Sequence, residues 1–544
     1  MRPDGLIVTC GMASLLLLVP VSSSGGTVTS ENNQRLRQAL QRYPDADANG
    51  DGVLTMGEAR AYLRRLREKK AGRGPARVPG EPQPAKRKMV DSWQPLAKEL
   101  RLEFARADFL RVATPVVLSG KALLGLRGCR PGEVVAFRYA GRWQQIPVQV
   151  DERAVVEYAD IYNRQHLKQP CFQNLVYTDA QTFTGPDPDA SLDDDDEVAF
   201  MARDSGERPG RWSDPTGVVA GSGVEVELTD PPTGVKSYVY LFRSAGTLDP
   251  SAGKRYVRYE FRLKSGDYRK SYKLARGPNP EDSTVETAAY TRHFSDRWIS
   301  DSLAIKAPLG SGVDILDMHK KLFAPGVPAR SVKTFCAGEG AFITNKSGPV
   351  RAIRSVMGCN SGPLTQETLL FYDRREDCHI FLRVHPIPGV INFIDYSAAA
   401  RGMRYHNNLN PDGVPIDGQA DAMQAGRPSW EMVRGKQGTL VTLHRLLTNL
   451  PGQTPVTYYL DAESPLIPQI SGDRHAYASS GPWFRRPILN TDPRRAGAGI
   501  FAAHRIHFYE RADAPPDIAH RRLAEAAIPL VARVTAIGSG GDRN

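Results

Sequence analysis

Asp47, Asn49, Asp51 and Glu58 stand at positions 1, 3, 5 and 12 of the run D-A-N-G-D-G-V-L-T-M-G-E. Oxygens at that spacing can wrap a hard cation, and Ca²⁺ takes about 6 to 8 of them at roughly 2.3–2.6 Å. Gly52 supplies the bend at position 6, Val53 offers its backbone carbonyl, Thr55 coordinates directly or through water, and Glu58 closes the ring with both carboxylate oxygens. The competing reading is a solvated Asn-Gly-Asp-Gly turn. A second set of reactive residues lies far along the chain. Strand periodicity from Phe381 puts Arg383 and His385 on one face, and the run from Val390 puts Asn392 and Tyr396 together. If the short Pro386–Gly389 turn makes these runs a hairpin, their polar residues share one sheet face. Arg383 would then hold a uronate or sulfate, and His385 or Tyr396 would exchange a proton. Glu431, beside Trp430, would offer an acid next to a ring that stacks on a sugar. The bland alternative is that these are the wet sides of ordinary antiparallel strands.

Leu36 and Leu40 precede the acidic loop at helical spacing, and Ala59, Tyr62, Leu63 and Leu66 follow it. Helix, loop and helix over residues 33–68 resemble the EF-hand family, with agreement at every ligand position. The resemblance implies Ca²⁺ as cofactor through Asp47, Asn49, Asp51, Val53, Thr55 and Glu58. It also implies a partner, because such hands usually work in pairs and no second full match occurs in the sequence. Pro44 is expected to end the incoming helix early. Residues 187–197 carry seven acids in eleven positions but lack the turn glycine, so a solvated loop is preferred there over a second cation site.

The elements that must position these residues follow in order. Leu6–Val21 is an apolar run followed by Ser22–Gly26, which reads as a secretory signal over residues 1–23 rather than a membrane span. The calcium module occupies 31–68, and a Pro/Gly/basic linker 69–95. From 96 the chain turns to short β-branched and aromatic runs: Val134–Tyr139, Ile146–Val150, Val198–Ala202, Val224–Leu228 and Tyr238–Phe242. They predict a β-sandwich domain over 96–280 and a larger one over 281–537, in which Asp517–Thr535 starts as a helix before a closing strand. The fold class is mostly β: a small helix-loop-helix module tethered to antiparallel β-sandwich domains. The larger domain is similar in general pattern to galactose-mutarotase-like sandwiches of carbohydrate-active proteins, without a specific motif.

The net charge of +11 comes from thinly spread Lys and Arg, which argues against a nucleic-acid surface and leaves an acidic polysaccharide as reasonable an anionic partner as a membrane surface. Five cysteines outside the leader permit two disulfides in an oxidising compartment. No Gly-x-Ser-x-Gly, Walker or His-Glu-x-x-His motif occurs. The sequence reads as an exported calcium-binding protein, secreted, periplasmic or at the cell surface, whose β-rich body binds extracellular polysaccharide. The alternatives are a polysaccharide lyase or glycoside hydrolase, and a structural or adhesive surface protein. Intact-mass measurement of the exported protein is expected to place the mature start near residue 24.

Overall fold

The computed structural model describes residues 29–31, 34–42, 44–55, 57–59, 61–62, 88–104, 111–161, 172–264, 279–326, 329–337, 340–359, 362–465 and 471–537. The expected leader, most of the linker and Cys171 lie outside the described residues. The chain divides into two compact units, Met1–Ala85 and Lys86–Asn544. In the first, an α-helix Gln34–Arg42 stops at a 3-10 turn Pro44–Ala46, as the proline requires. The acidic loop follows, with helical residues again at 57–59 and 61–62. Leu36, Ala46, Leu54 and Ala59 are fully buried.

The second unit is built of antiparallel sheets. A five-stranded sheet runs in the order Val531–Ala536, Val224–Thr229, Lys236–Arg243, Val134–Tyr139 and Trp143–Ile146. It shares a core with a three-stranded sheet of Pro115–Ser119, Glu197–Met201 and Gln149–Asp151. Val134 and Ala136 face that core, while Val135 and Phe137 face an aromatic cluster with Trp143, Tyr240 and Phe242 on the other side. A strand covered on both faces reads as an unbroken apolar run. The expected strand Ile146–Val150 is instead the ends of two strands parted at Pro147, which has no N–H to give a ladder.

The large body centres on a ten-stranded sheet. Its order is Ala341–Ser347, Ala352–Cys359, Gly362–Phe371, Arg375–Phe381, Phe501–Glu510, Gly438–Thr448, Trp430–Gly435, Arg404–Asn407 and Asn410–Pro415, with Val90–Asp91 added against Gly438–Thr448. One face packs into the main core with strands Leu316–Phe323, Val390–Tyr396, Ala476–Phe484 and Val456–Ala462, which form a sheet of their own. Helices Gln94–Glu103 and Asp517–Ala527 cover part of the other face through Leu100, Ala519 and Leu523. The end of the stretch expected as linker holds a strand at Val90–Asp91 and the start of the helix Gln94–Glu103.

Two further expectations are corrected. The strands Arg375–Phe381 and Val390–Tyr396 are not a hairpin: the first pairs with Gly362–Phe371 and Phe501–Glu510, the second with Leu316–Phe323 and Ala476–Phe484. Pro386 and Pro388 turn the chain from one sheet to the other, with Gly389 at φ 153° beside the Phe484 carbonyl. Cys129, Cys336 and Cys378 are free, buried thiols, which rules out two disulfides among the five cysteines.

The main core carries charges, and they are paired. Arg354, 1% exposed, grips Glu281 with bonds of 2.9 and 2.5 Å. Removing one member of such a pair leaves the other charged and dry. Arg354→Ala is therefore expected to cost about 3–5 kcal/mol in denaturant unfolding, whereas a same-sized change at exposed Arg258 should cost under about 0.5 kcal/mol.

Candidate functional site

A cavity of about 510 Å³ opens on the face of the ten-stranded sheet that points away from the main core. Its floor follows from strand alternation. Gln366, Thr368, Leu370 and Tyr372 line it from one strand and its end, and Arg375, Asp377, His379, Phe381 and Arg383 from the next. Their partners at the intervening positions, Leu369, Phe371, Cys378 and Ile380, are buried in the core behind. Register sets Thr368 opposite His379, Gln366 opposite Phe381 and Leu370 opposite Asp377. Asn174 and Tyr177 come from the hairpin Arg153–Glu157/Gln173–Tyr177, and Pro115, Val117 and Glu197 from the smaller pair of sheets.

One end of the cavity is a network around Arg351. Its guanidinium donates to Asp151 at 2.8 Å, Glu197 at 2.7 Å and the Tyr372 hydroxyl at 3.3 Å, and lies 5.3 Å from the Tyr177 ring centre. Glu197 also accepts from Arg153 at 2.6 Å and from the Tyr177 hydroxyl at 2.8 Å. Burial alone would raise the Glu197 carboxyl, but Arg351 and Arg153 beside it hold it below the usual carboxylate range. Burial pushes the Tyr372 hydroxyl up, so it stays protonated. Asp377 is held in a two-point pair by Arg375 at 2.6 and 2.9 Å.

The other end holds Arg383 and His379. Arg383 donates to Gln366 Oε1 at 2.8 Å and sits near the rings of Phe172 and Phe381, 5.1 and 5.2 Å away. His379 meets His504 edge to face at 4.3 Å, and no hydrogen bond holds its ring nitrogens among the described residues. Burial lowers its pKa, with Arg375 and Arg445 adding to the effect and Asp377 opposing it, so the imidazole is neutral at pH 7.

Of the residues singled out in the body of the chain, Arg383 lines this cavity and His385, Asn392, Tyr396 and Glu431 do not. His385 lies beyond the strand, exposed, with Nδ1 2.9 Å from the Pro386 carbonyl. Tyr396 is in a strand buried at all seven positions. Glu431 is 4% exposed and accepts from the Tyr405 hydroxyl at 3.1 Å inside the core. Asn392 is there too, bonded to His319 at 2.8 Å. His379, Tyr372, Glu197 and the remaining arginines were missed. The signal for the first lies in R-E-D-C-H-I-F-L-R from Arg375, where polar and aromatic residues recur at every second position.

Two places offer oxygen ligands. Among the described residues, the carboxylates of Asp193, Asp195 and Asp196 converge within 4.8 Å. Burial and the adjacent Asp193 push Asp195 up to about 6. In the loop 47–58, Asp47 accepts from the N–H groups of Gly50 and Gly52 at 2.9 and 2.8 Å, and Asp51 from that of Val53 at 2.8 Å. Gly52 has φ 82°, which a side chain would strain. Glu58 accepts from the Thr55 N–H at 3.0 Å and its hydroxyl at 2.8 Å, and the backbone bond foremost holds its carboxyl low.

No family model matches the chain, and no curated protein does. Among solved structures, an α-mannosidase from Enterococcus faecalis V583 matches over 82% of this chain and 43% of its own length, at 8% identity and a TM-score of 0.37. A candidate aldose 1-epimerase from Escherichia coli K12 matches over 47% of this chain and all of its own, at 9% identity and a TM-score of 0.23. Slr1438 from Synechocystis sp. PCC 6803 matches at 10% identity and 0.23, over 44% of this chain and 99% of its own. These are weak likenesses to β-rich folds, and the chain spans under half of the mannosidase.

A carboxyl lowered in the folded state adds stability above its unfolded pKa and loses it as pH falls through the folded value. For Glu197 the added stability is present above about 4.5, the ordinary value, and disappears below it. Melting curves of wild type and Glu197→Gln are therefore expected to differ most at pH 6–7 and to converge as the pH drops below 4.5.

Proposed function

We propose that the cavity binds a segment of acidic polysaccharide and cleaves it by β-elimination, with His379 as the proton carrier. The observation that carries this is the cavity's lining: four guanidiniums against two carboxylates, with an imidazole that has no hydrogen bond among the described residues. A uronate carboxylate bound at the Arg383 and Gln366 end would lie on the side of the floor next to His379. Neutralising that carboxylate makes the adjacent C5–H more acidic. His379, neutral through burial, takes the C5 proton. The C–H electron pair becomes the C4=C5 double bond, the C4–O bond breaks, and the imidazolium returns its proton to the departing oxygen. No water is consumed.

Hydrolysis asks for something else: a carboxylic acid kept protonated at working pH and a second carboxylate across the bond. Glu197 is pulled the opposite way by Arg351 and Arg153, and Asp377 is engaged by Arg375. That favours elimination over hydrolysis.

In this reading the paired sheets are β-sandwiches and the chain is exported. The loop 47–58 takes Ca²⁺. Its donors are carboxylates, an amide, a hydroxyl and a carbonyl, all hard oxygens, which suits that ion better than a thiophilic one. Bound there, Ca²⁺ would order the loop; no step of the elimination passes through it.

The test is a panel of neutral and uronic-acid polysaccharides, with unsaturated-product absorbance and reducing ends recorded separately. His379→Ala is expected to lower unsaturated product by about a hundredfold or more with binding largely kept. Arg383→Ala should weaken binding about tenfold to a hundredfold. Reducing ends without unsaturation would replace elimination by hydrolysis, and binding without cleavage would support an adhesive or carbohydrate-binding role. A folded wild type that neither binds nor cleaves any acidic glycan would sink the proposal.

A further inference from the structure

The loop 47–58 resembles one that needs a second copy beside it, yet its open edge is already taken. Thr29 bridges Thr55 in antiparallel fashion. Ser30 contacts Leu54 twice: its backbone N–H donates to the Leu54 carbonyl at 2.9 Å, and its hydroxyl accepts from the Leu54 N–H at 2.9 Å. Both residues are sealed from water, Ser30 at 4% and Leu54 at 0% exposure. Arg37 of the helix Gln34–Arg42 holds the segment from behind, donating to the Ser30 carbonyl at 3.1 Å and the Glu31 carbonyl at 2.7 Å.

These contacts act on the ligands through the planarity of the peptide bond. The Leu54 N–H and the Val53 carbonyl belong to one trans unit and point in opposite directions. Anchoring the N–H on Ser30 Oγ therefore turns the Val53 carbonyl to the other side, the side on which a ligand at position 7 must present its oxygen. The next unit behaves alike. Its carbonyl, on Leu54, is held by the Ser30 N–H, and its N–H, on Thr55, donates to Glu58 Oε2 at 3.0 Å. One serine thus fixes the two consecutive peptide planes that aim the carbonyl ligand and hold the closing carboxylate.

We infer that Ser30 is a positioning residue for the divalent cation of this loop, and that the chain's own segment Thr29–Glu31 does the work a second loop would do. The inference rests on the reading of 47–58 as a calcium site, and the experiment keeps the two separable. The probe is Tb³⁺, or Ca²⁺ by calorimetry, titrated into the full chain after chelator treatment, for wild type, Ser30→Ala, Ser30→Thr and Glu58→Gln. Losing a group that orients a metal ligand typically lowers affinity about 10- to 100-fold. Ser30→Ala is expected to fall in that range and to shorten the Tb³⁺ luminescence lifetime as water replaces the Val53 carbonyl. Ser30→Thr keeps the hydroxyl and should restore affinity and lifetime. Ser30→Ala with wild-type affinity and lifetime, while Glu58→Gln is impaired, would overturn the role of Ser30 alone. A Glu58→Gln variant that titrates like wild type would overturn the calcium site and the inference with it. A dimer that forms only with the cation bound would overturn the claim that the chain completes its own loop.

Discussion

A buried guanidinium needs partners on every side, and Arg351 finds its own on two different sets of sheets. It enters the strand Ala352–Cys359 of the ten-stranded sheet, while Asp151 and Glu197 stand opposite one another on the three-stranded sheet. Stripping water from a cation costs several kcal/mol, so the two sheets can close only if those carboxylates arrive with it. The approach is tight around it as well. Gln149 accepts from the Val350 and Arg351 N–H groups, and a Cβ at Gly348 would lie 2.0 Å from that same Gln149 oxygen. The cavity exists because this junction holds its two walls at a fixed separation. Its electrostatics have the same origin: the carboxylate that secures the junction is the one kept ionised at the site.

Much of the architecture was legible because alternation and β-branching report local burial. Val134–Tyr139 and Val390–Tyr396 are strands with the bounds the sequence suggested, and Asp517–Ala527 is a helix followed by a strand. Sheet membership was not legible. Pro386–Gly389 has the length of a hairpin turn and instead crosses between layers, since nothing local distinguishes a turn that reverses a strand from one that changes sheets. The candidate site residues divided along the same line. Arg383 was found because its own strand presents it, whereas Tyr396 and Glu431 sit where polar groups are enclosed by facing sheets. Their alternation looked like exposure, yet both faces of their strands are covered. His379 escaped notice because periodicity counted from Phe381 starts two residues past it, on the same face.

The acidic loop near the N-terminus shows the complementary case. Its ligand spacing could be read residue by residue, because the loop's geometry is written in consecutive positions. What completes it could not, since Ser30 lies 24 residues from Leu54 and carries no motif. The same holds for Arg153, whose guanidinium meets Glu197 44 residues on and whose backbone N–H meets Asp196, tying the converging aspartates to the wall of the cavity.

The strand Val531–Ala536 closes the five-stranded sheet by pairing along the edge of Val224–Thr229. Its place after the whole of the larger body sets a temporal order on folding. As synthesis proceeds, the edge at Val224–Thr229 emerges long before its neighbour and remains an unsatisfied template meanwhile. The smaller pair of sheets therefore cannot finish as an independent early domain. It waits for the entire larger body to pass, and the late strand Val531–Ala536 works as a latch on the earlier sheet.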